Sequence, residues 1–132
     1  MEKIILEEFV DLINNATKTG EDTRFRICEY DDNIFSVQVN RKSVIYLDIS
    51  KESKYDILFE TLKKKFAKRY QVILTHDMGG KHEAFMIIDE KVIVDFDYGL
   101  SEGQNWLYLH KEELSKNTNM NFIFVHIGVF YI

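Results

Sequence analysis

His82 heads the strand-like run Gly79-Gly80-Lys81-His82-Glu83-Ala84-Phe85-Met86-Ile87-Ile88, and Val92-Ile93-Val94-Asp95-Phe96-Asp97 returns after a short turn. An imidazole entering one strand and a carboxylate on its antiparallel neighbour can exchange a proton. Such a pair could act as a general base and its orienting acid. Cys28, the single cysteine of the chain, is the candidate nucleophile. His76, Asp77, His82 and Glu83 flank the same turn, where a hairpin could gather two or three of them around a metal ion.

Residues 82–97 resemble the His…Asp hairpin of papain-like and transglutaminase-like enzymes, and that resemblance implies a Cys28/His82/Asp95 hydrolase or transferase. Those enzymes take their thiolate from a helix N-terminus, where the dipole lowers its pKa. Cys28 instead falls inside Arg26-Ile27-Cys28-Glu29-Tyr30, which reads as a strand. The metal reading matches no known ligand spacing, since His110 and His126 are remote in sequence. His76 reads as a buried, hydrogen-bonded histidine at a strand end, and His126, inside an apolar run, reads the same way. GxGxxG, phosphate-loop, GxSxG and CxxC motifs are all missing from the sequence. The expectation is a protein with no catalytic residue, no metal and no cofactor.

The elements that must position these residues are legible from periodicity. Leu6, Phe9, Val10 and Ile13 fall at i, i+3, i+4 and i+7, which predicts a helix over 2–18, with Gly20 in the C-cap place. Arg24–Tyr30, Ile34–Val39 and Ser43–Ile49 follow with the period of two expected of half-buried strands. Ser53 and Asp56 resemble a capping box, and Tyr55, Leu58, Phe59, Leu62 and Phe66 line one face of a second helix. Strands at Gln71–Thr75, Glu83–Ile88 and Val92–Asp97 complete a second helix-plus-three-strand unit. A shift of 49 residues overlays the two units without a gap. Leu6, Phe9, Val10 and Ile13 then fall on Tyr55, Leu58, Phe59 and Leu62, while Ile27/His76 and Ile34/Glu83 disagree.

The predicted fold is therefore α+β: two α-β-β-β units in a mainly antiparallel sheet, within a single domain over 1–132. Residues 1–49 and 50–98 form a possible internal repeat, and 99–132 an extension. In the extension, Trp106–His110 is a candidate short strand and Lys111–Lys116 a candidate helical turn. The nearly all-apolar run Phe122–Ile132 predicts a strand covered on both faces, in the middle of a sheet.

Apolar residues make up 45% of the 132, enough for a sizeable core and too many for disorder. No apolar run is long enough to span a membrane, the N-terminus carries acids where a signal peptide needs bases, and one cysteine permits no internal disulfide. A reducing, cytoplasmic setting fits this usage. The net charge is −5, although Lys63, Lys64, Lys65, Lys68 and Arg69 cluster without an acid. Acidity over the rest of the chain argues against nucleic acid as partner. The cluster reads as the solvated end of a helix, where cations oppose the dipole.

Acidic residues interleaved with aromatic ones suit a surface that binds a basic protein, the charges steering and the rings anchoring. On that basis the expected contact residues are Asp95, Asp97, Tyr98, Glu102, Trp106 and Tyr108. In size, acidity and Lys/Ile/Asn-rich composition the chain is similar to bacterial immunity proteins, such as those of contact-dependent growth inhibition systems. That resemblance is one of type, with no motif. It implies an inhibitor that neutralises a cognate toxin, acting as a monomer or weak dimer. Type III secretion chaperones offer an alternative resemblance, being acidic, of this size and beginning α-β-β-β-α. They are obligate dimers and end in a helix, whereas Phe122–Ile132 is a strand.

Overall fold

The helix predicted over 2–18 divides into two elements. In the computed structural model Lys3–Ile4 is a short strand (β1) and Leu6–Thr19 the helix (α1). Between them Ile5 is extended, at φ −93° and ψ 168°, and its N–H donates to Glu8 Oε1 at 3.2 Å. That is the backward half of a capping box, the forward half being closed to an isoleucine side chain. β1 forms because the edge of a neighbouring strand offers it backbone partners: Lys3 and Ile4 pair parallel with Tyr46 and Leu47. α1 ends at Gly20, whose φ of +71° is the left-handed conformation glycine adopts freely.

Residues 2–31, 33–49, 54–76, 82–96 and 122–126 are described, with the backbone alone at 74–76, 82–84 and 122–126. After α1 come β2 (Thr23–Glu29), β3 (Ile34–Val39), β4 (Ser43–Asp48), α2 (Lys54–Lys65), β5 (Tyr70–His76), β6 (His82–Ile88), β7 (Val92–Phe96) and β8 (Phe122–His126). The class is α+β. The strands form one sheet in the order β1-β4-β3-β2-β7-β6-β5-β8. Pairing is antiparallel within each three-strand meander and parallel at β1/β4, β2/β7 and β5/β8. The strand expected in the middle of the sheet instead ends the described order, because β8 pairs with β5. Ser53, the candidate cap of α2, and the segments at 106–116 lie outside the described residues. Among the described residues no helix is long and apolar enough to cross a membrane.

Both helices lie against one face of the sheet and share one core. Phe9, Val10 and Ile13 of α1 are buried with Leu58, Phe59 and Leu62 of α2. Each such side chain removed from water contributes roughly 1.5–3 kcal/mol. Edge-on aromatic contacts fasten helix to strand: the rings of Phe9 and Phe25 are 5.5 Å apart at 89°, and those of Phe35 and Tyr55 are 4.9 Å apart. Lys63, Lys64 and Lys65 occupy the last turn of α2, where their charge opposes the helix dipole.

The two α-β-β-β units share a pairing pattern that the ungapped overlay hides. The β3–β4 and β6–β7 hairpins correspond at a shift of 49, rung by rung. Phe35 faces Leu47 as Ala84 faces Phe96, and Val39 faces Ser43 as Ile88 faces Val92. Their turns also correspond: Asn40 and Arg41 have φ of +50° and +63°, Asp89 and Glu90 of +49° and +69°. β2 and β5, however, correspond at a shift of 45. Phe25 faces Val39 and Tyr70 faces Ile88. Between α2 and β5 the second unit is thus four residues shorter, about one helical turn, so the apolar face of the helix keeps its direction. It regains the four in the β5–β6 hairpin. The apparent clash of Ile27 with His76 disappears, since Ile27 corresponds to Val72 and both are buried.

Candidate functional site

The face of the sheet opposite the helices carries the charged side chains. On β2 the buried Phe25 and Ile27 alternate with Arg24 and Arg26, which therefore project to the other side. Arg26 stands in register with Gln38 on one side and Asp95 on the other, and Asp95 with Phe85. Directly opposed residues share a face. Arg24, Arg26, Gln38 and Arg41 together line a hollow of about 200 Å³. Arg41 arrives from the β3–β4 turn, where its left-handed φ turns the chain back. That turn is pinned to β2 from both ends. Asn40 N–H donates to the Arg24 carbonyl at 2.9 Å, and Arg24 N–H donates to Asn40 Oδ1 at 2.8 Å.

Asp95 closes one side of this arrangement. Its side chain is 1% exposed and its Oδ2 accepts from Nη2 of Arg24. Its Oδ1 is buried with no hydrogen-bond partner among the described residues. The Arg24 guanidinium also lies over the Phe85 ring, 5.7 Å from its centre. A carboxylate out of water needs its partner charge, so Arg24 is tied down on the sheet by Asp95. A guanidinium group is a planar fork of donors, the geometry suited to a carboxylate or phosphate.

Neither family models, curated proteins nor solved structures gave a match.

Of the predicted contact residues, Asp95 is the one described, and its carboxylate turns to Arg24 rather than to solvent. Asp97, Tyr98, Glu102, Trp106 and Tyr108 lie outside the described residues. Of the Cys28/His82/Asp95 set, Cys28 is half-buried on β2 opposite Ser36, while His82 begins β6, with β7 between them. Strand spacing of about 4.8 Å then sets the backbones of Cys28 and His82 two strand intervals apart. His76 and His82 are opposed in register, as the metal reading needs. Among the described side chains no group of three or more His, Cys, Asp or Glu comes together.

The arginine hollow escaped the sequence reading. Its signal is present in Arg24 and Arg26, two cations at the period of a strand and opposite in phase to Phe25 and Ile27. Gln38 and Arg41 join them through strand pairing and a turn, neither of which periodicity specifies. At the far end of the sheet, burial pushes the Tyr70 hydroxyl up from its ordinary pKa, and the charge of Glu60 adds to the shift.

Proposed function

We propose that this chain is a protein-binding inhibitor of the immunity type, which neutralises a cognate toxin in the cytoplasm by docking through the sheet face opposite its helices. The observation that carries this reading is the hollow walled by Arg24, Arg26 and Arg41 in a chain of net charge −5. An anionic group seated in the hollow meets three guanidinium groups, of which Arg24 already pairs with Asp95. A carboxylate on the partner is the anchor that suits the planar forks.

The same face favours protein contact beside the hollow. A solvated sheet face alternates polar residues against the core, yet Phe85, Ile87 and Ile93 are half-buried on this side of β6 and β7. Apolar and aromatic side chains next to arginine make up the composition of interface centres. Acidity elsewhere on the molecule attracts a basic toxin domain at long range. In this reading Asp95 positions Arg24, and Asp97, Tyr98, Glu102, Trp106 and Tyr108 extend the contact.

The test titrates this chain against purified basic toxin domains. The intact protein is expected to inhibit one of them at equimolar concentration. Arg26→Glu and Arg41→Asn should weaken binding by tenfold or more, a change of about 1.4 kcal/mol, with circular dichroism unchanged. Arg41→Asn keeps a residue that tolerates positive φ, so it removes the charge without the turn. Full inhibition by both variants, or inhibition of none of these domains, overturns the reading.

A further inference from the structure

The arginine hollow of the first unit has a counterpart in the second, because the two meanders share one plan. Arg24, Arg26, Gln38 and Arg41 line the first. Arg69, Gln71, Ile87 and Glu90 stand at the matching positions and line a hollow of about 390 Å³ together with Lys68, Tyr70 and Asp89. Hydrogen bonds and register set the match. Asn40 N–H donates to the Arg24 carbonyl as Asp89 N–H donates to that of Arg69, each at 2.9 Å. Arg26 faces Gln38 as Gln71 faces Ile87. Arg41 and Glu90 each take the second left-handed position of their turn.

The second unit shows how this scaffold satisfies itself. Nε and Nη2 of Arg69 both donate to the carboxylate of Asp89, in the turn beside it. One guanidinium fork and one planar carboxylate complete each other. The first unit keeps the arginine and changes the other four positions. Asn40 stands for Asp89, Arg41 for Glu90, Arg26 for Gln71 and Gln38 for Ile87. Every one of these differences removes a negative charge, adds a positive one or adds an amide. The described residues lining the first hollow thus include three arginines and no acid. Arg24 takes its carboxylate from Asp95 of β7 instead.

We infer that this hollow is a binding site for a phosphoryl dianion, free in solution or carried on a small ester. A carboxylate has two oxygens and is completed by one fork, as Arg69 and Asp89 show. A phosphoryl group has three terminal oxygens and about −1.5 to −2 charges at pH 7, so it engages several guanidinium groups together. An arginine has five N–H donors, so one that already holds a carboxylate, as Arg24 does, keeps others for a ligand. Gln38 brings an amide to the same wall, and the volume of about 200 Å³ equals that of about six waters at roughly 30 Å³ each. The turn that carries Arg41 is held to β2 by both Asn40–Arg24 bonds, so its cation is in place before the anion arrives. This site rests on the hollow of the docking reading, and phosphate seated there excludes the partner's carboxylate.

The full chain is titrated with inorganic phosphate, with methyl phosphate and with acetate at constant ionic strength, and the arginine Nε–Hε signals are followed by NMR. Both phosphates should bind saturably, one per chain, and at least about tenfold more tightly than acetate. The signals of Arg24, Arg26 and Arg41 should shift together while that of Arg69 stays in place. Tighter binding of methyl phosphate assigns the site to esters, and equal or weaker binding assigns it to the free anion. Arg26→Gln and Arg41→Asn should each weaken phosphate binding by about tenfold or more, as expected for loss of a hydrogen bond to a charged group. Lys42→Gln removes an exposed cation from the same turn outside the hollow and should change nothing. No saturable binding, acetate as tight as phosphate, an equal shift of Arg69, or equal loss in Lys42→Gln overturns the assignment. Toxin titrations separate the two readings. Phosphate binding with no toxin inhibited keeps this site and removes the docking reading, whereas inhibition that depends on Arg26 and Arg41 without phosphate binding does the reverse.

Discussion

Asp89 is bound to Arg69 by both its backbone and its side chain. Its N–H donates to the Arg69 carbonyl at 2.9 Å, and Arg69 Nε donates to Oδ1 at 3.1 Å and to Oδ2 at 3.2 Å. In the first unit Asn40 and Arg24 hold the same positions and make the same backbone bond. An arginine at the start of one strand and an Asx in the left-handed turn beside it therefore close both meanders.

Replacing Asp89 by its counterpart separates the charge from the turn. The hydrogen bond from Arg69, aided by the guanidinium charge and opposed by partial desolvation, holds the Asp89 carboxyl below its ordinary value. A depressed folded-state value stabilises at pH above the unfolded carboxylate, near 3.9, and that contribution disappears as pH falls through the folded value. The pair is substantially exposed, at 42% and 36%, so solvent screens it. Asp89→Asn should cost about 0.2–1 kcal/mol at pH 7, less in 1 M salt, and progressively less as the pH falls below the ordinary carboxylate range. Urea midpoints across a descending pH series measure it, and a loss that does not change with pH would assign the effect to the turn.

Arg24 and Asp95 form the pair whose disruption should hurt most per atom. Arg24→Met leaves the Asp95 carboxylate, 1% exposed, without its partner charge. A loss of about 3 kcal/mol is expected, with Arg24 itself partly solvated. The double variant Arg24→Met with Asp95→Asn should recover part of that loss. A thermodynamic cycle from four denaturation curves reads the coupling, and additive single effects would contradict the pair.

Helix packing gives a contrast within one residue type. Leu58 of α2 is fully buried, whereas Leu12 of α1 is 39% exposed. Leu58→Ala should cost about 2–5 kcal/mol, and Leu12→Ala under about 0.5 kcal/mol. Thermal melts of the two variants suffice, and similar shifts would mean that the helices pack on other faces.

Gly20 isolates backbone strain from packing. Its φ is +71° and a Cβ there would meet nothing within 4 Å. Gly20→Ala should therefore cost only the left-handed penalty of about 1–2 kcal/mol, with Gly20→Asn costing less. Equal stability of all three chains would show the cap to be relaxed in solution.

The sequence by itself determined the local features of this protein. Period 3.6 in Leu6–Ile13 and Tyr55–Leu62, and period two in Phe35–Val39 and Ile45–Ile49, specify which face each element buries, because burial follows side-chain direction. Gly20 marked the end of α1 for the same kind of local reason. The α+β class and the repeated α-β-β-β order followed from that. Only tertiary structure decided which rung faces which. Compensating four-residue changes before and within the β5–β6 hairpin cancel in the sequence, so an ungapped overlay hid them. Lys3–Ile4 became a strand because β4 offered an edge, which no helical period records. Arg41 joins Arg24 and Arg26 through a left-handed turn, Asp95 becomes a buried counter-ion because β7 pairs with β2, and His126 stands in register with His76 through a parallel ladder. Each of these depends on hydrogen bonds between residues far apart in the chain, and periodicity along one strand holds no information about its neighbour.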